Sequence, residues 1–369
     1  MSGGQIPSSA AVLACGGHRA AYNRSTGGSA GNQTEEVSIV RVSVIATVLN
    51  ERQAIRQLLD SLLAQTRAPD EVIIVDGGSS DDTVQIIGSY ADRLPLRVLV
   101  EPGCNISQGR NRAIEAATGE IIASTDAGVR LAPEWLEELT QPFVASDPPA
   151  VVSGFFLPDP HTLFELALGA TILPIHADVD AHRFLPSSRS VAFTRLAWQA
   201  AGGYPTWLDY CEDLIFDFNL RARCGPFAWA PKAVAHFRPR STLRGFFRQY
   251  YHYARGDGKA DLWRRRHAVR YATYLIMLPS LLFLSLWHRP AWLLLLPVGG
   301  IAYCWTPWRR LRGMWGDLNW LQRLQAVALA PLIRVVGDVA KMIGYPVGWV
   351  WRLRNWARPE IHWRSSDER

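Results

Sequence analysis

From residue 42 onward the apolar positions take two alternating forms: short unbroken runs, and longer stretches spaced as on a helix. Val42 to Leu49 is apolar and β-branched, which predicts a strand buried on both faces. Ile55, Leu58, Leu59, Leu62 and Leu63 then recur every three or four residues and predict a helix over Ile55 to Gln65. The alternation continues with a strand at Glu71 to Val75, a Gly/Ser/Asp loop and a helix near Asp82 to Tyr90. A strand at Leu96 to Glu101, a helix from Ser107 to Ala117 and a strand at Gly119 to Ser124 follow. Repeated units of this length predict an α/β fold, a parallel doubly wound sheet that binds ligands at the carboxyl ends of its strands. Asp76 and Asp126 both fall at such ends.

The pattern then becomes less regular. Val151 to Phe156 and Ser190 to Phe193 read as strands, Thr162 to Ala170 as a short helix, and Glu212 to Arg223 as an amphipathic helix. Two apolar runs follow, Tyr271 to His288 and Ala291 to Trp305, split by Arg289 and Pro290. Spanning a hydrocarbon core of ~30 Å takes roughly 20 residues, so the first run is about long enough and the second is short. Arginines 264, 265, 266 and 270 precede the pair and arginines 309, 310 and 312 follow it. By the positive-inside rule both ends lie in the cytoplasm, as a transmembrane or re-entrant hairpin over 261–312. Leu324 to Trp351 carries Arg334, Asp338 and Lys341 as one stripe on an otherwise apolar helix, which predicts an interfacial helix and basic tail over 313–369. The first 40 residues, rich in Gly, Ser, Ala, Asn and Gln, read as a disordered tail, and 41–260 as the soluble domain.

Charge sharpens this division. Residues 231–369 hold 23 basic and 7 acidic side chains, net +16, leaving 16 and 26, net −10, for residues 1–230. The basic end also carries 11 of the 15 tryptophans, which favours an anionic membrane surface over nucleic acid, for which no groove-reading motif is present. The five cysteines are scattered, without metal or disulfide spacing, and read as reduced thiols.

Taken one at a time, the polar motifs are ordinary. Asp76 in "EVIIVDGGSSDDT" fits a turn, and no glycine-rich phosphate loop is present. The arginines of "GRNRAI" fit a solvated helix start, Glu212 and Asp213 of "CEDLIF" complement a helix dipole, and "HFRPR" fits a basic patch. Their order is more specific. "VSVIATVLNE", "VDGGSSDDT", "GRNRAI", "GEIIASTDAG", "YCEDLIFDFNLRARCG" and "VAHFRPR", from Val42 to His236, resemble the family 2 glycosyltransferases of the GT-A fold.

That resemblance implies a Rossmann-like, mostly parallel sheet with flanking helices, followed here by membrane-associated helices. It implies a hexosyltransferase-like enzyme of cell-envelope polysaccharide assembly, held at the cytoplasmic membrane with its catalytic domain in the cytoplasm. Its partners would be a nucleotide-sugar donor and a lipid-linked or glycan acceptor. Thr47, Asn50, Glu51, Asp76, Arg110 and Asp126 would hold the donor, and Asp213, with Glu212 beside it, would be the general base of an inverting displacement. Asp126 matches the first Asp of the family's Asp-x-Asp, but Gly128 replaces the second.

Three readings of that gap follow. A divalent cation, Mg²⁺ or Mn²⁺, is held by Asp126, His236 and the diphosphate; Arg189, Arg238 or Arg240 replaces it; or the site is inactive. The last makes the chain a membrane protein that binds a nucleotide-sugar or lipid head group without turnover. Gln249 and the aromatics after it resemble part of the Gln-x-x-Arg-Trp motif of processive synthases, but Arg-Trp is absent, which favours a single transfer.

Overall fold

The computed structural model describes residues 40–316 and 318–364, so nearly all of the expected N-terminal tail lies outside the described residues. The strand-helix alternation appears as β1 (Val42–Val48), α1 (Ile55–Leu63), β2 (Glu71–Asp76), α2 (Thr83–Gly88), β3 (Leu96–Val100), α3 (Ile106–Ala116) and β4 (Ile121–Ser124). Next come β5 (Val129–Leu131), α4 (Trp135–Thr140), β6 (Val151–Pro158), α5 (Leu163–Ile172), β7 (Val191–Thr194), α6 (Arg195–Ala201), α7 (Glu212–Cys224), β8 (Ala228–Phe237) and α8 (Leu243–Ala260). All eight strands form one sheet in the order β3-β2-β1-β4-β7-β6-β8-β5.

The half built from β3, β2, β1 and β4 is parallel, as the alternation predicts. The other half is mixed: β7 runs antiparallel to β4 and β6, β5 antiparallel to β8, and only β6 and β8 are parallel. The GT-A expectation therefore holds as a mixed sheet with flanking helices. Along β2, Val72 and Ile74 point into one apolar layer with α1 and α4, while Ile73 and Val75 point into the other with α3 and α7. Burial on both faces is why these strands read as continuous apolar runs rather than alternating ones.

Parallel register brings the carboxyl ends of β1, β2 and β4 side by side. Val48 pairs with Asp76, Ile45 pairs with Ser124, and Thr125 N donates to Ile45 O at 3.0 Å. A single edge therefore collects Thr47, Gly77 and Asp126.

The last third adds α9 (Arg264–Tyr271), a π-helical turn Ala272–Met277, α10 (Leu278–Trp287), α11 (Leu295–Arg312) and α12 (Trp320–Arg354). Arg264–Trp287 is continuous over 24 residues and, among the described residues, is the one helix long and apolar enough to cross a membrane. The second apolar run lies mostly in α11.

The helix expected to lie at an interface packs along α8 on one side, while Leu332, Val335, Val339, Ile343, Val347 and Val350 stay exposed. A methyl group on Gly258 of α8, or on Gly348 of α12, would overlap backbone atoms of the facing helix, so glycine sets the closeness of this crossing. The stripe of Arg334, Asp338 and Lys341 accordingly faces protein. Asp338 accepts from Arg270 Nε at 2.7 Å and from Tyr303 OH at 2.6 Å, and Lys341 Nζ lies 4.6 Å from the Tyr250 ring centre. The basic tail is docked as well: Arg352 Nη1 donates to the carbonyls of Lys259 and Ile361, both at 2.9 Å.

Candidate active site

A cavity of about 880 Å³ opens at the carboxyl edge of the parallel strands, roofed by α7, α8 and α12. Thr47 and Glu51 enter it from the end of β1, and Asp126 from the end of β4. Helix α3 supplies Arg110. Its start is fixed by a reciprocal cap, in which Asn105 Oδ1 accepts from Gln108 N and Gln108 Oε1 from Asn105 N, each at 2.9 Å. Helix α7 supplies Glu212 and Asp213 from its first turn, immediately after Cys211 at φ +64°.

These groups form one charge network. Arg110, 2% exposed, donates from Nη1 to Glu212 Oε1 at 2.7 Å and from Nη2 to Asp126 Oδ1 at 2.8 Å. The other oxygen of Asp126 lies 3.2 Å from Arg189 Nε. Burial alone would raise the Asp126 carboxyl, but Arg189 and Arg110 outweigh it and hold its pKa below the usual value. Burial would likewise depress the Arg110 guanidinium, and Asp126 and Glu212 reverse that.

The acids at the head of α7 shift the other way. Burial and the neighbouring Asp213 push Glu212 up to about 7 despite Arg110. Burial also raises Asp213, opposed by Arg110 and Arg189. A carboxylate with a raised pKa, placed in a cavity, is suited to accept a proton near neutral pH. Two neighbouring arginines supply fixed positive charge for a developing anion without reorganising.

Thr47, Glu51, Arg110, Asp126, Arg189, Glu212 and Asp213 thus converge on one cavity. Five other candidates do not line it. Asp76 is fully buried, its Oδ2 accepting from Gly78 N at 2.9 Å and Ser79 N at 2.8 Å. It holds a turn in which Gly78 takes φ +95°, and its neighbour Gly77 reaches the cavity instead. Asn50 Oδ1 accepts from Ser80 N at 2.9 Å on the exposed side. Arg238 pairs at 2.8 Å with the buried Glu165. Arg240 is exposed and acts on the site through its charge near Glu51, whose pKa burial raises and Arg240 partly restores.

His236 sits on β8 opposite Arg130 of β5, with Asp159 as its nearby acid, and its pKa is lowered by burial and Arg130. The expected cation ligands therefore do not meet. Asp126 has both oxygens engaged by arginines, Gly128 offers no donor, and among the described residues no group of three or more His, Cys, Asp or Glu is arranged to hold a metal. The donor set does not fit a protein-held cation.

Helix α8 contributes aromatics that the sequence marked only through their partial likeness to a processive-synthase motif, and an acid, Asp257, that it did not mark. Tyr250, Tyr253 and Asp257, at i, i+3 and i+7, line the cavity, and Tyr253 OH accepts from Gln249 Nε2 at 2.8 Å. Their helical spacing is legible in "FRQYYHYARGDGKA", but only the packing of α12 and of Tyr210 and Cys211 against it identifies which face is inward. His267, Arg270 and Lys341 reach the cavity from α9 and α12 and carry no local motif.

Residues 43–168 match the model of Glycosyl transferase family 2. An uncharacterized glycosyltransferase of Escherichia coli (strain K12), YibD, is 37% identical over 100 residues, 27% of this chain and 29% of that protein. Validoxylamine A glucosyltransferase of Streptomyces hygroscopicus subsp. limoneus is 29% identical over 117 residues, 31% of this chain and 26% of that protein. The chain thus spans about a third or less of these curated relatives. Among solved structures, a mannosyltransferase of Pyrobaculum calidifontis in complex with GDP-Man and Mn²⁺ is 22% identical, covering 85% of this chain and 87% of that one, at TM-score 0.49. S. aureus TarS 1–349 in complex with UDP is 19% identical, covering 85% and 92%, at TM-score 0.44.

Proposed function

Residues 43–168 form a family 2 glycosyltransferase domain, and from that premise we propose that the protein transfers a sugar from a nucleoside diphosphate donor to an acceptor hydroxyl or phosphate at a membrane surface. The observation that carries this reading is the convergence of Asp126, Arg110, Arg189 and the Glu212–Asp213 pair on one cavity at the strand ends.

In this reading the donor's nucleoside rests against Thr47, Glu51 and the backbone at Gly77, with its diphosphate toward Arg110 and Arg189. Asp213 takes a proton from the acceptor, whose oxygen attacks the anomeric carbon on the face opposite the diphosphate; the carbon–oxygen bond to the diphosphate breaks as the new one forms, inverting the centre. The charge arriving on the diphosphate falls beside two guanidiniums already in place. Asp126 orients both arginines. Burial favours proton uptake by Asp213 against the pull of Arg110 and Arg189, and Glu212 beside it is anchored to Arg110.

The exposed apolar helix Arg264–Trp287 and the basic residues flanking it support attachment at the cytoplasmic face of a membrane. The domains follow as a glycosyltransferase unit through α8, an apolar hairpin, and a C-terminal helix that completes the site. A thermal-shift screen of nucleotide-sugars in the presence of a chelator tests the reading. One donor raises the melting temperature in proportion to RT ln(1 + [L]/Kd), and no response to any donor refutes it.

A further inference from the structure

A second cavity, of about 320 Å³, lies where α5, α8, α11 and α12 meet at the base of the apolar hairpin. It shares Tyr250, Arg270 and Lys341 with the larger one, so the two adjoin. Arg310 and Arg334 complete a wall of four cations, against which the lining offers a single acid, Asp338.

The pairing of these cations is unequal. Arg270 is matched by Asp338 at 2.7 Å, and Arg310 by Asp178 at 2.7 Å. Arg334 Nη1 donates to the carbonyl of Tyr303 at 2.6 Å and its guanidinium lies 4.2 Å from that ring centre, with no carboxylate in ion-pair contact among the described residues. Among the described residues no carboxylate lies within ion-pair distance of Lys341 Nζ, whose recorded contact is the Tyr250 ring at 4.6 Å. Burial, then Arg270, brings the Lys341 ammonium down to about 8, partly opposed by Asp338 and Asp257, neither of which pairs with it directly. A half-buried cation among other cations is costly unless an anion joins it.

We propose that this second cavity binds the phosphate group of the acceptor, a phosphorylated amphiphile whose apolar chain runs along the exposed hairpin and whose reacting end enters the larger cavity. The inference rests on the transferase reading and names its acceptor class. A phosphate there gains Lys341 and Arg334 as charge-assisted donors, and the apolar surface it needs is adjacent: Leu286 and Trp287 on α10 are 88% and 82% exposed. Glycan acceptors without phosphate would leave Lys341 and Arg334 without an anion in direct contact.

The test uses the full chain, exchanged from detergent into an amphipathic polymer so that vesicles stay intact. Its binding to phosphatidylcholine vesicles is measured with and without phosphatidic acid, with inorganic phosphate as the second probe. Wild type binds the phosphatidic acid vesicles in excess over the neutral ones. Lys341→Met and Arg334→Gln each weaken that excess by about tenfold or more, the size of one charge-assisted contact, and Lys341→Arg retains it. Each variant is first shown to melt cooperatively, and Arg334→Gln serves if Lys341→Met does not fold. Phosphate competing as well as the lipid assigns the site to free phosphate; competition by lipid alone assigns it to the amphiphile. Undiminished binding by every folded neutral variant overturns the inference. Nucleotide binding by wild type is measured alongside: its absence refutes the transferase reading, whereas its presence with unaltered lipid binding refutes only the phosphate site.

Discussion

Arg110 holds Asp126 at 2.8 Å from a side chain with almost no exposure, joining the end of β4 to the first turn of α7 through Glu212. Removing one partner of a buried ion pair leaves the others uncompensated and typically costs about 3–5 kcal/mol. Arg110→Met should therefore lose roughly that much unfolding free energy in a denaturant titration. Arg110→Lys should keep more of the fold but bind donor weakly, because a single ammonium cannot serve two carboxylates in this fork geometry.

Gly128 is open to substitution. A Cβ there meets no atom within 4 Å, and its φ lies outside the positive range. Gly128→Asp should change stability by no more than about 0.5 kcal/mol, as for other surface substitutions. Wild-type transfer should persist in EDTA, since Arg110 and Arg189 supply the charge, whereas Gly128→Asp should acquire a response to Mn²⁺. Complete loss of wild-type activity on chelation, restored by Mn²⁺, would count against the arginine account.

The pH profile follows from the acids at the head of α7. Burial and Asp213 bring Glu212 to about 7, and burial raises Asp213 as well. The pair takes up its first proton near neutrality, so kcat/KM should fall as pH drops through about 7. A profile flat down to the ordinary carboxylate range would show that neither acid is the base.

Asp217, one turn beyond Asp213 and 3% exposed, has an Oδ2 without a hydrogen-bond partner among the described residues, and burial and Asp213 raise its pKa well above the usual value. An acid that binds its proton more tightly when folded contributes full stability below its unfolded pKa of about 3.9 and loses it as pH rises toward the folded pKa. Asp217→Asn escapes that loss. Its melting temperature relative to wild type should rise between acidic and neutral pH; a constant difference would mean that Asp217 does not titrate in this way.

Much of this site was legible in the chain because its groups sit at strand and helix ends that apolar periodicity locates. Asp126 follows the run Ile121–Ser124, Arg110 lies in the second turn of a capped helix, and Asp213 heads α7. What was not legible depends on packing. Asp76 and Gly77 are adjacent, and which one faces the cavity is decided by the turn that consumes the Asp76 carboxylate. His236 lies on a strand whose polar residues hide its register, and that register turns it toward Arg130. The stripe on α12 looked like a surface because its partners, Arg270 and Tyr303, lie 68 and 35 residues away in sequence.

The most direct measurement compares Asp213→Asn with wild type in donor binding and in single-turnover transfer. The account predicts donor affinity within a few-fold of wild type and transfer reduced by about 10²-fold or more, the contribution typical of a general base. Transfer by Asp213→Asn at the wild-type rate, with donor binding intact, would contradict it.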